Sequence, residues 1–385
     1  MSKYIDFDVD YQSFGSLLKN IVDNRGRTCP VTTQGTPLIA TNCVTNDYLY
    51  PQFINIRYVS DEVMKTWFRD HPEPGDLLFV LKGTPGRVAM VPDPVPFAIA
   101  QDMVAIRADE KKIYPKYLFA VLRSSIIQQE IEGLHVGTLI PHFKKGDFDE
   151  LKIPVVNPEL QEYVGDQYYL FSQKIDLLQK QNFTLEALAQ TYFRKWFIEE
   201  SEDEWGTLGE YITLYDNKRV PLSAMERAKK QDGVLYPYYG AATIMDYVND
   251  YIFDGEYILL GEDGTVQTPE GYPIMQYATG KFWCNNHAHV LQAKWPYTNY
   301  TLWCFLRRCN ISHIITGAVQ PKINQQNLRS IEVPKPPVAK LEIANNTIGM
   351  LFEKILTNER QIMTLRILRD TLLPKLISGE VKVKQ

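Results

Sequence analysis

Carboxylates close to a lysine are the first feature of this 385-residue sequence with chemical potential. Asp93, after Pro92, and the run Asp109-Glu110-Lys111 fit a loose nuclease pattern. In that pattern carboxylates hold Mg²⁺ and the lysine steadies the attacking group. The same residues read better as surface, with Pro92-Asp93-Pro94 as a turn and Asp109-Glu110-Lys111-Lys112 as a solvated loop. The later part of the chain holds no equivalent. Cys284, His287 and His289 lie close together, with Cys304 and Cys309 downstream, but the spacing is not that of a structural zinc site. On a strand, alternation puts Cys284 on one face and both histidines on the other, which leaves a core thiol and ordinary histidines. The sequence contains no Gly-x-x-x-x-Gly-Lys-Ser/Thr loop for ATP hydrolysis. It also lacks an Asn/Asp-Pro-Pro-Tyr/Phe segment, since Pro336-Pro337 follows Lys335. The chain is therefore expected to be non-catalytic and to carry no cofactor or metal of its own.

Bulk properties narrow the class further. Hydrophobic residues make up 45% and charged residues 23%, as in ordinary globular proteins, and the length suggests two or three domains. No run of 18 apolar residues occurs, so no membrane helix is expected. The stretch Met1-Ser2-Lys3-Tyr4-Ile5-Asp6-Phe7-Asp8 has no apolar region of a secretory signal. Five irregularly spaced cysteines (Cys29, Cys43, Cys284, Cys304, Cys309) fit free thiols in a reducing cytoplasm. A net charge of −5 argues against a protein that simply coats nucleic acid, while leaving room for a reader with local basic patches. The charge is uneven: residues 158–204 carry 4 basic and 10 acidic side chains, residues 338–385 carry 8 and 5.

The elements that must position any functional residue are duplicated. A shift of 180 residues lays Gly137 on Gly317, Pro141 on Pro321, Pro154 on Pro334, Lys174-Ile175 on Lys354-Ile355, Thr184-Leu185 on Thr364-Leu365 and Lys195 on Lys375. Each copy reads as about 150 mixed residues followed by about 40 helical ones. Leu77-Leu78-Phe79-Val80 and Tyr257-Ile258-Leu259-Leu260 read as buried strands, as do Phe97-Ala98-Ile99-Ala100 and Ala288-His289-Val290-Leu291. Residues 117–122 and 300–306 read as helices, each ending before an arginine (Arg123, Arg307), and Ile153-Pro154 and Val333-Pro334 close the last strand of each copy. Phe171, Ile175, Leu178, Asn182, Leu185, Ala189, Tyr192 and Trp196 step by four and three, and Leu351, Ile355, Asn358, Ile362, Leu365, Arg369, Leu372 and Leu376 repeat the pattern. That is a heptad seam. A helix of this length, roughly 60 Å at 1.5 Å per residue, cannot hide its apolar stripe alone. The simplest solution pairs the acidic helix with the basic one, antiparallel. Pro158 marks a helix start, and Pro374 a kink or end near the second helix's terminus. Asn182 and Asn358 in the seam would fix register, and Arg369 there could instead face a partner.

Two segments carry a family resemblance. Leu368-Arg369-Asp370-Thr371-Leu372-Leu373-Pro374-Lys375-Leu376-Ile377-Ser378-Gly379-Glu380 resembles the C-terminal signature of type I restriction–modification specificity subunits. Gly317-Ala318-Val319-Gln320-Pro321-Lys322-Ile323-Asn324, then Leu328 and Ile331-Glu332-Val333-Pro334-Lys335-Pro336-Pro337, resembles the close of a target-recognition domain. Leu188-Ala189-Gln190-Thr191-Tyr192-Phe193-Arg194-Lys195-Trp196-Phe197 closes the first repeat, while Gly137-Thr138-Leu139-Ile140-Pro141-His142-Phe143 lacks the glutamine of its counterpart. The resemblance implies an α+β fold. Two similar mixed α/β target-recognition domains (1–157 and 201–337) are joined by helical spacers (158–200 and 338–385), packed as an antiparallel coiled coil with a pseudo-two-fold. It implies a cytoplasmic subunit that reads a bipartite site on double-stranded DNA. Two methyltransferase subunits would dock on it, two translocase–nuclease subunits could join for cleavage, and no membrane is involved.

Within that frame the candidate DNA contacts are residues that reach base edges or phosphates. In the second copy they are Gln320, Lys322, Asn324, Gln325, Gln326 and Asn327, a cluster that reads equally as a solvated loop. In the first copy His142, Lys144 and Lys145 match in position, the lysines being suited to phosphate. Lys82 and Arg87 flank the glycine-rich loop Lys82-Gly83-Thr84-Pro85-Gly86-Arg87, whose counterpart is Glu262-Asp263-Gly264-Thr265; both also read as plain turns. Lys218-Arg219 and Lys229-Lys230 are further phosphate candidates. Two other readings stay open: a two-domain scaffold that binds only proteins, and a stand-alone Mg²⁺-dependent nuclease.

Overall fold

The structure, a computed structural model, describes residues 8–23, 28–134, 140–144, 146–200, 204–317, 320–335 and 338–381. Expectations placed on Gly137, Thr138, Leu139, Lys145, Ala318, Val319, Pro336 and Pro337 lie outside the described residues. The chain divides into two compact units, Met1–Lys180 with Asn358–Gln385, and Gln181–Thr357.

In the first unit a four-stranded antiparallel sheet runs in the order Leu18–Asp23, Met103–Ala108, Leu77–Val80, Val88–Met90. Every residue of Leu77–Val80 is buried. The reason is that both faces of the sheet are covered. Leu77, Phe79, Val104 and Ile106 belong to one apolar cluster, and their alternating neighbours Leu78, Val80, Met103 and Ala105 to another. The helix Pro115–Leu122 joins the first cluster, with Tyr117 through Leu122 all buried. Val9–Ser13 and Lys152–Val156 form a separate antiparallel pair.

The second unit repeats this plan. Ile212–Leu214, Ala288–Ala293, Phe253–Gly261 and Met275–Cys284 occupy the same four places, and Tyr236–Tyr239 and Ile244–Val248 extend the sheet to six strands. Again the central strand splits its side chains, Ile258 and Leu260 to one cluster and Tyr257 and Leu259 to the other. Trp205–Thr207 pairs with Glu332–Pro334 as Val9–Ser13 does with Lys152–Val156. Even single hydrogen bonds recur 180 residues apart: Tyr117 donates to the Pro154 carbonyl at 2.9 Å, and Tyr297 to the Pro334 carbonyl at 2.6 Å.

Three sequence expectations need correction. Within Phe97-Ala98-Ile99-Ala100 only Ala98–Ile99 is a strand, and it pairs in parallel with Thr36–Ile39 in a different, three-stranded sheet. The counterpart of Ala288–Ala293 is Met103–Ala108, which holds the matching place between its neighbours. Pro154 lies inside its strand rather than at the end, which a two-stranded ladder tolerates because proline's missing N–H can face away from the partner. The helices begin earlier than expected, at Pro115 and Asn299.

The long helices are Pro158–Phe193 and Val338–Ile377. Pro374 is accommodated within the second, which runs on to Ile377. In the first unit the pairing is antiparallel. Tyr168 lies against the Arg369 guanidinium, 5.1 Å from ring centre, while Ile175 and Leu178 pack with Ile362 and Leu365. In the second unit Ala189, Phe193 and Phe197 share a core with Leu341, Ala344, Ile348 and Phe352. Asn182 and Asn358 are buried. The predicted seam holds to Ala189 and then shifts by one residue. Phe193 and Phe197 are buried in place of Tyr192 and Trp196; the shift is already present at Phe193, the last residue of the α-helix, and Arg194–Glu199 beyond it winds as a π-helix. Arg369 does not face outward: it is 7% exposed and donates to the Asp370 carboxylate at 2.8 and 3.2 Å.

Two glycines inside the long helices, Gly165 and Gly349, differ in what surrounds them. A Cβ on Gly165 would meet the Tyr117 amide nitrogen at 2.6 Å, whereas on Gly349 it would meet nothing nearer than Tyr300 at 3.7 Å. Glycine inside a helix costs about 1 kcal/mol relative to alanine. Gly349→Ala should therefore stabilise by ~0.5–1 kcal/mol, and Gly165→Ala should destabilise by ~1–3 kcal/mol despite the same gain in propensity. Denaturant melts of the two variants check the opposite signs.

Candidate functional site

One backbone arrangement recurs in both units and gathers most of the candidate residues. In the first unit the strand Leu77–Val80 leads into a turn at Gly83, where φ is +85°. The Gly83 amide donates to the Pro141 carbonyl at 3.0 Å, and the Phe143 amide donates back to the Leu81 carbonyl at 2.7 Å. In the second unit the turn residue is Gly264, at φ +79°. Its amide donates to Pro321 at 3.1 Å, and the Ile323 amide donates to Glu262 at 2.8 Å. Glycine is needed here for the left-handed backbone rather than for space, since a Cβ would meet nothing within 4 Å at either position. Each unit thus staples a glycine turn to a distant Pro-x-hydrophobic loop.

Around this staple the first unit places Lys82 and Arg87, both half-buried, with exposed His142 and Lys144. Lys82 and His142 form an isolated antiparallel bridge. Arg87 lines an open cleft of about 530 Å³ together with Asn46, Gly83, Thr84, Gln128 and Pro141. Lys144 donates its amide to the Asp147 carboxylate at 2.6 Å. Beneath the loop Phe143 is fully buried, in edge contact with Phe79 at 5.1 Å and Phe148 at 5.0 Å.

The second unit places Gln320, Lys322, Asn324, Gln325 and Gln326 at the surface and Asn327 half-buried. Several of these side chains are engaged within the protein. Asn324 caps the short helix Gln325–Arg329, accepting from the Asn327 amide at 2.8 Å. The Asn327 side chain donates to the Ile314 carbonyl at 2.8 Å. Gln325 donates to the Asp216 carboxylate at 2.7 Å, and Lys322 pairs with Glu262 at 3.2 Å. An Asn three residues before another Asn, ahead of a buried Leu328, is a cap signature that the sequence carried.

What sequence reasoning missed is the charge network under this loop. His289 is fully buried, with Nδ1 2.6 Å from Asp216 Oδ2 and Nε2 2.8 Å from the Ile323 carbonyl. Each ring nitrogen thus has an oxygen within hydrogen-bond distance. Asp216 accepts additionally from the Val290 amide at 2.9 Å, and Arg219 reaches Glu262 at 2.6 Å. Burial pushes the Asp216 carboxyl up, but the His289 hydrogen bond and charge, the Val290 amide and Arg219 outweigh it and hold it below its ordinary value. Glu262 is lowered likewise, burial being overcome by Arg219, His289 and Lys322. Asp216, Glu262 and His289 offer ligand atoms within 4.8 Å of one another. Arg219 pairs with both carboxylates, at 3.6 Å and 2.6 Å, and Lys322 with Glu262 at 3.2 Å. Asp216 lies 73 residues from His289, and no local spacing announces the pair.

The residues first considered for chemistry are placed otherwise. Asp109 accepts from the Lys111 amide at 3.2 Å and pairs with Lys112 at 3.6 Å, as a turn residue does. Asp93 and Glu110 are exposed and not gathered with it as a ligand group among the described residues. Cys284 is buried among Phe253, Phe282 and Val290, and exposed His287 pairs with Asp263 at 2.6 Å. No helix among the described residues is long and apolar enough to cross a membrane.

Known proteins give the same picture twice over. The type I restriction modification DNA specificity domain matches residues 27–187 and again 202–362. A Haemophilus influenzae protein assigned to the type I restriction enzyme specificity subunits is 37% identical over 150 residues, which spans 39% of this chain and 37% of that relative's length. The type I restriction enzyme MjaIX specificity subunit of Methanocaldococcus jannaschii is 24% identical over 333 residues, 75% of each chain. In fold, the chain is similar to the type I restriction–modification S subunit of M. genitalium, at 18% identity, 98% coverage of both chains and a TM-score of 0.60. Two copies of the family's domain account for most of the sequence, and the chain belongs to the type I restriction–modification DNA specificity family.

Proposed function

We propose that this chain is the non-catalytic DNA-reading subunit of a type I complex, each unit recognising one half of a bipartite site on double-stranded DNA. One observation carries the reading: the stapled glycine turn recurs in both units with the same backbone hydrogen bonds and different exposed side chains. A constant frame with variable side chains is what two different half-sites require. In the first unit Lys82, Arg87, Lys144 and Lys145 would supply cationic contacts, and in the second Gln320, Lys322 and Gln326 would approach phosphates and base edges. Asn324, Gln325 and Asn327 would chiefly hold their loop, since part of each side chain is engaged internally. Two methyltransferase subunits would dock on the helical segments, and two translocase–nuclease subunits would join for cleavage. All would act in the cytoplasm. Methyl transfer and cleavage would then belong to those partners.

The long helices would set the spacer between half-sites. Adding a heptad within 160–190, with a matching heptad in the second helix, lengthens a helix by ~10 Å, or about 3 base pairs. Selection of bound duplexes from a random library, by the chain with its methyltransferase, should return a longer spacer between unchanged half-sites. Altered half-sites with a constant spacer would contradict the reading.

Replacing 205–337 by the equivalent region of a relative should change one half-site only. In the same assay Lys322→Ala should weaken binding uniformly across sequences, and Gln326→Ala should relax selectivity at single positions. Indifference to all three changes would favour a protein-binding scaffold.

A further inference from the structure

The loop from Lys322 to Gln325 is tied to the second unit's sheet by four contacts, and three of them end on the buried network. Lys322 Nζ meets Glu262 Oε1 at 3.2 Å, the Ile323 carbonyl accepts from His289 Nε2 at 2.8 Å, and Gln325 Nε2 donates to Asp216 Oδ2 at 2.7 Å. The fourth is the Ile323 amide on the Glu262 carbonyl at 2.8 Å. His289 and Asp216 are fixed in turn by the sheet. His289 lies opposite Leu260 in the strand ladder, and Asp216 Oδ1 accepts from the Val290 amide.

The first unit shows that the fold does not need this network. At the place of His289 stands Val104, opposite Phe79 in the equivalent ladder, and the equivalent loop is held by Phe143 packed between Phe79 and Phe148. The same staple is therefore secured by aromatic packing in one copy and by charge in the other. Aromatic packing is tolerant of small shifts. A hydrogen-bonded ion network is directional, and it fixes where a backbone carbonyl and a side-chain amide sit to a few tenths of an ångström.

We infer that Asp216 and His289 are positioning residues for recognition of one half-site, holding the 322–326 loop in the one geometry that presents its side chains to the bases. The inference rests on the DNA-reading function proposed above. Neither residue touches DNA: His289 is fully buried and Asp216 is 8% exposed. They act through Ile323 and Gln325.

The test is the base preference of the full chain with its methyltransferase, read by selection from a random duplex library and by binding to the selected site and its single-base mismatches. Asp216→Asn removes the carboxylate and His289→Gln the ring, while both keep similar size and some hydrogen-bonding capacity. Each should lower discrimination at the half-site read by the second unit by about tenfold, the scale of one good base contact. The other half-site should keep its preferences. A general loss of folding would erode both halves together and lower the melting temperature, so the surviving half is the internal control. If Asp216→Asn does not fold, His289→Gln is read alone. A folded variant with both half-sites as sharp as the parent's overturns the inference while leaving the DNA-reading function standing. A parent complex that selects no sequence removes both.

Discussion

A helix of 36 or 40 residues carries an apolar stripe longer than one small globule can cover, and the architecture follows from that mismatch. Each long helix starts in one compact unit and ends in the other. Leu160, Val164 and Tyr168 from the first helix share a core with Leu373, Leu376 and Ile377 from the far end of the chain and with Phe79 and Ile106 of the sheet. The first unit is thus closed by residues more than two hundred positions downstream. Completing its core therefore takes contacts of high sequence separation, the kind that slow folding.

Much of this was legible because helices and covered sheets both leave periodic marks. The step of four and three from Phe171 to Ala189 maps onto the buried face almost residue for residue, since both helices bury one stripe. The apolar runs at 77–80 and 257–260 are strands because their sheets are covered on both faces, which removes alternation from the sequence. Where reading failed, a local rule was overridden. Tyr192 and Trp196 yield to Phe193 and Phe197, a step of four from Ala189 where the heptad expects three, and nothing in the spacing marks it. Met103–Ala108 was passed over in favour of the more apolar Phe97–Ala100, although only the former has a pairing edge on each side.

The site was legible in outline and misjudged in detail for a similar reason. Polar residues in a loop invite the reading that they face a ligand, but a loop held off the sheet has backbone groups of its own to satisfy. Asn324 and Asn327 meet that demand at the short helix and at Ile314. Once these are subtracted, the surface of the second loop reduces largely to Gln320, Lys322 and Gln326. The first loop offers His142 and Lys144 in the same frame. The chemistry thus differs between copies where the backbone does not.

Duplication explains why the supports could diverge as well. One staple must hold a loop that carries cationic groups near an apolar floor, where Phe143 buries itself without any polar obligation. The other must hold a loop whose glutamine turns inward. Gln325 is exposed overall, but its inward amide donates to Asp216, a contact that an apolar floor could not offer. A buried carboxylate then needs its own partners, and His289, Arg219 and the Val290 amide provide them. The loop's composition and the charge beneath it are one solution to one problem. Apolar replacement of His289 by the residue of the first copy would leave Asp216 with the Val290 amide, Gln325 and Arg219 as partners and free the Ile323 carbonyl from the sheet.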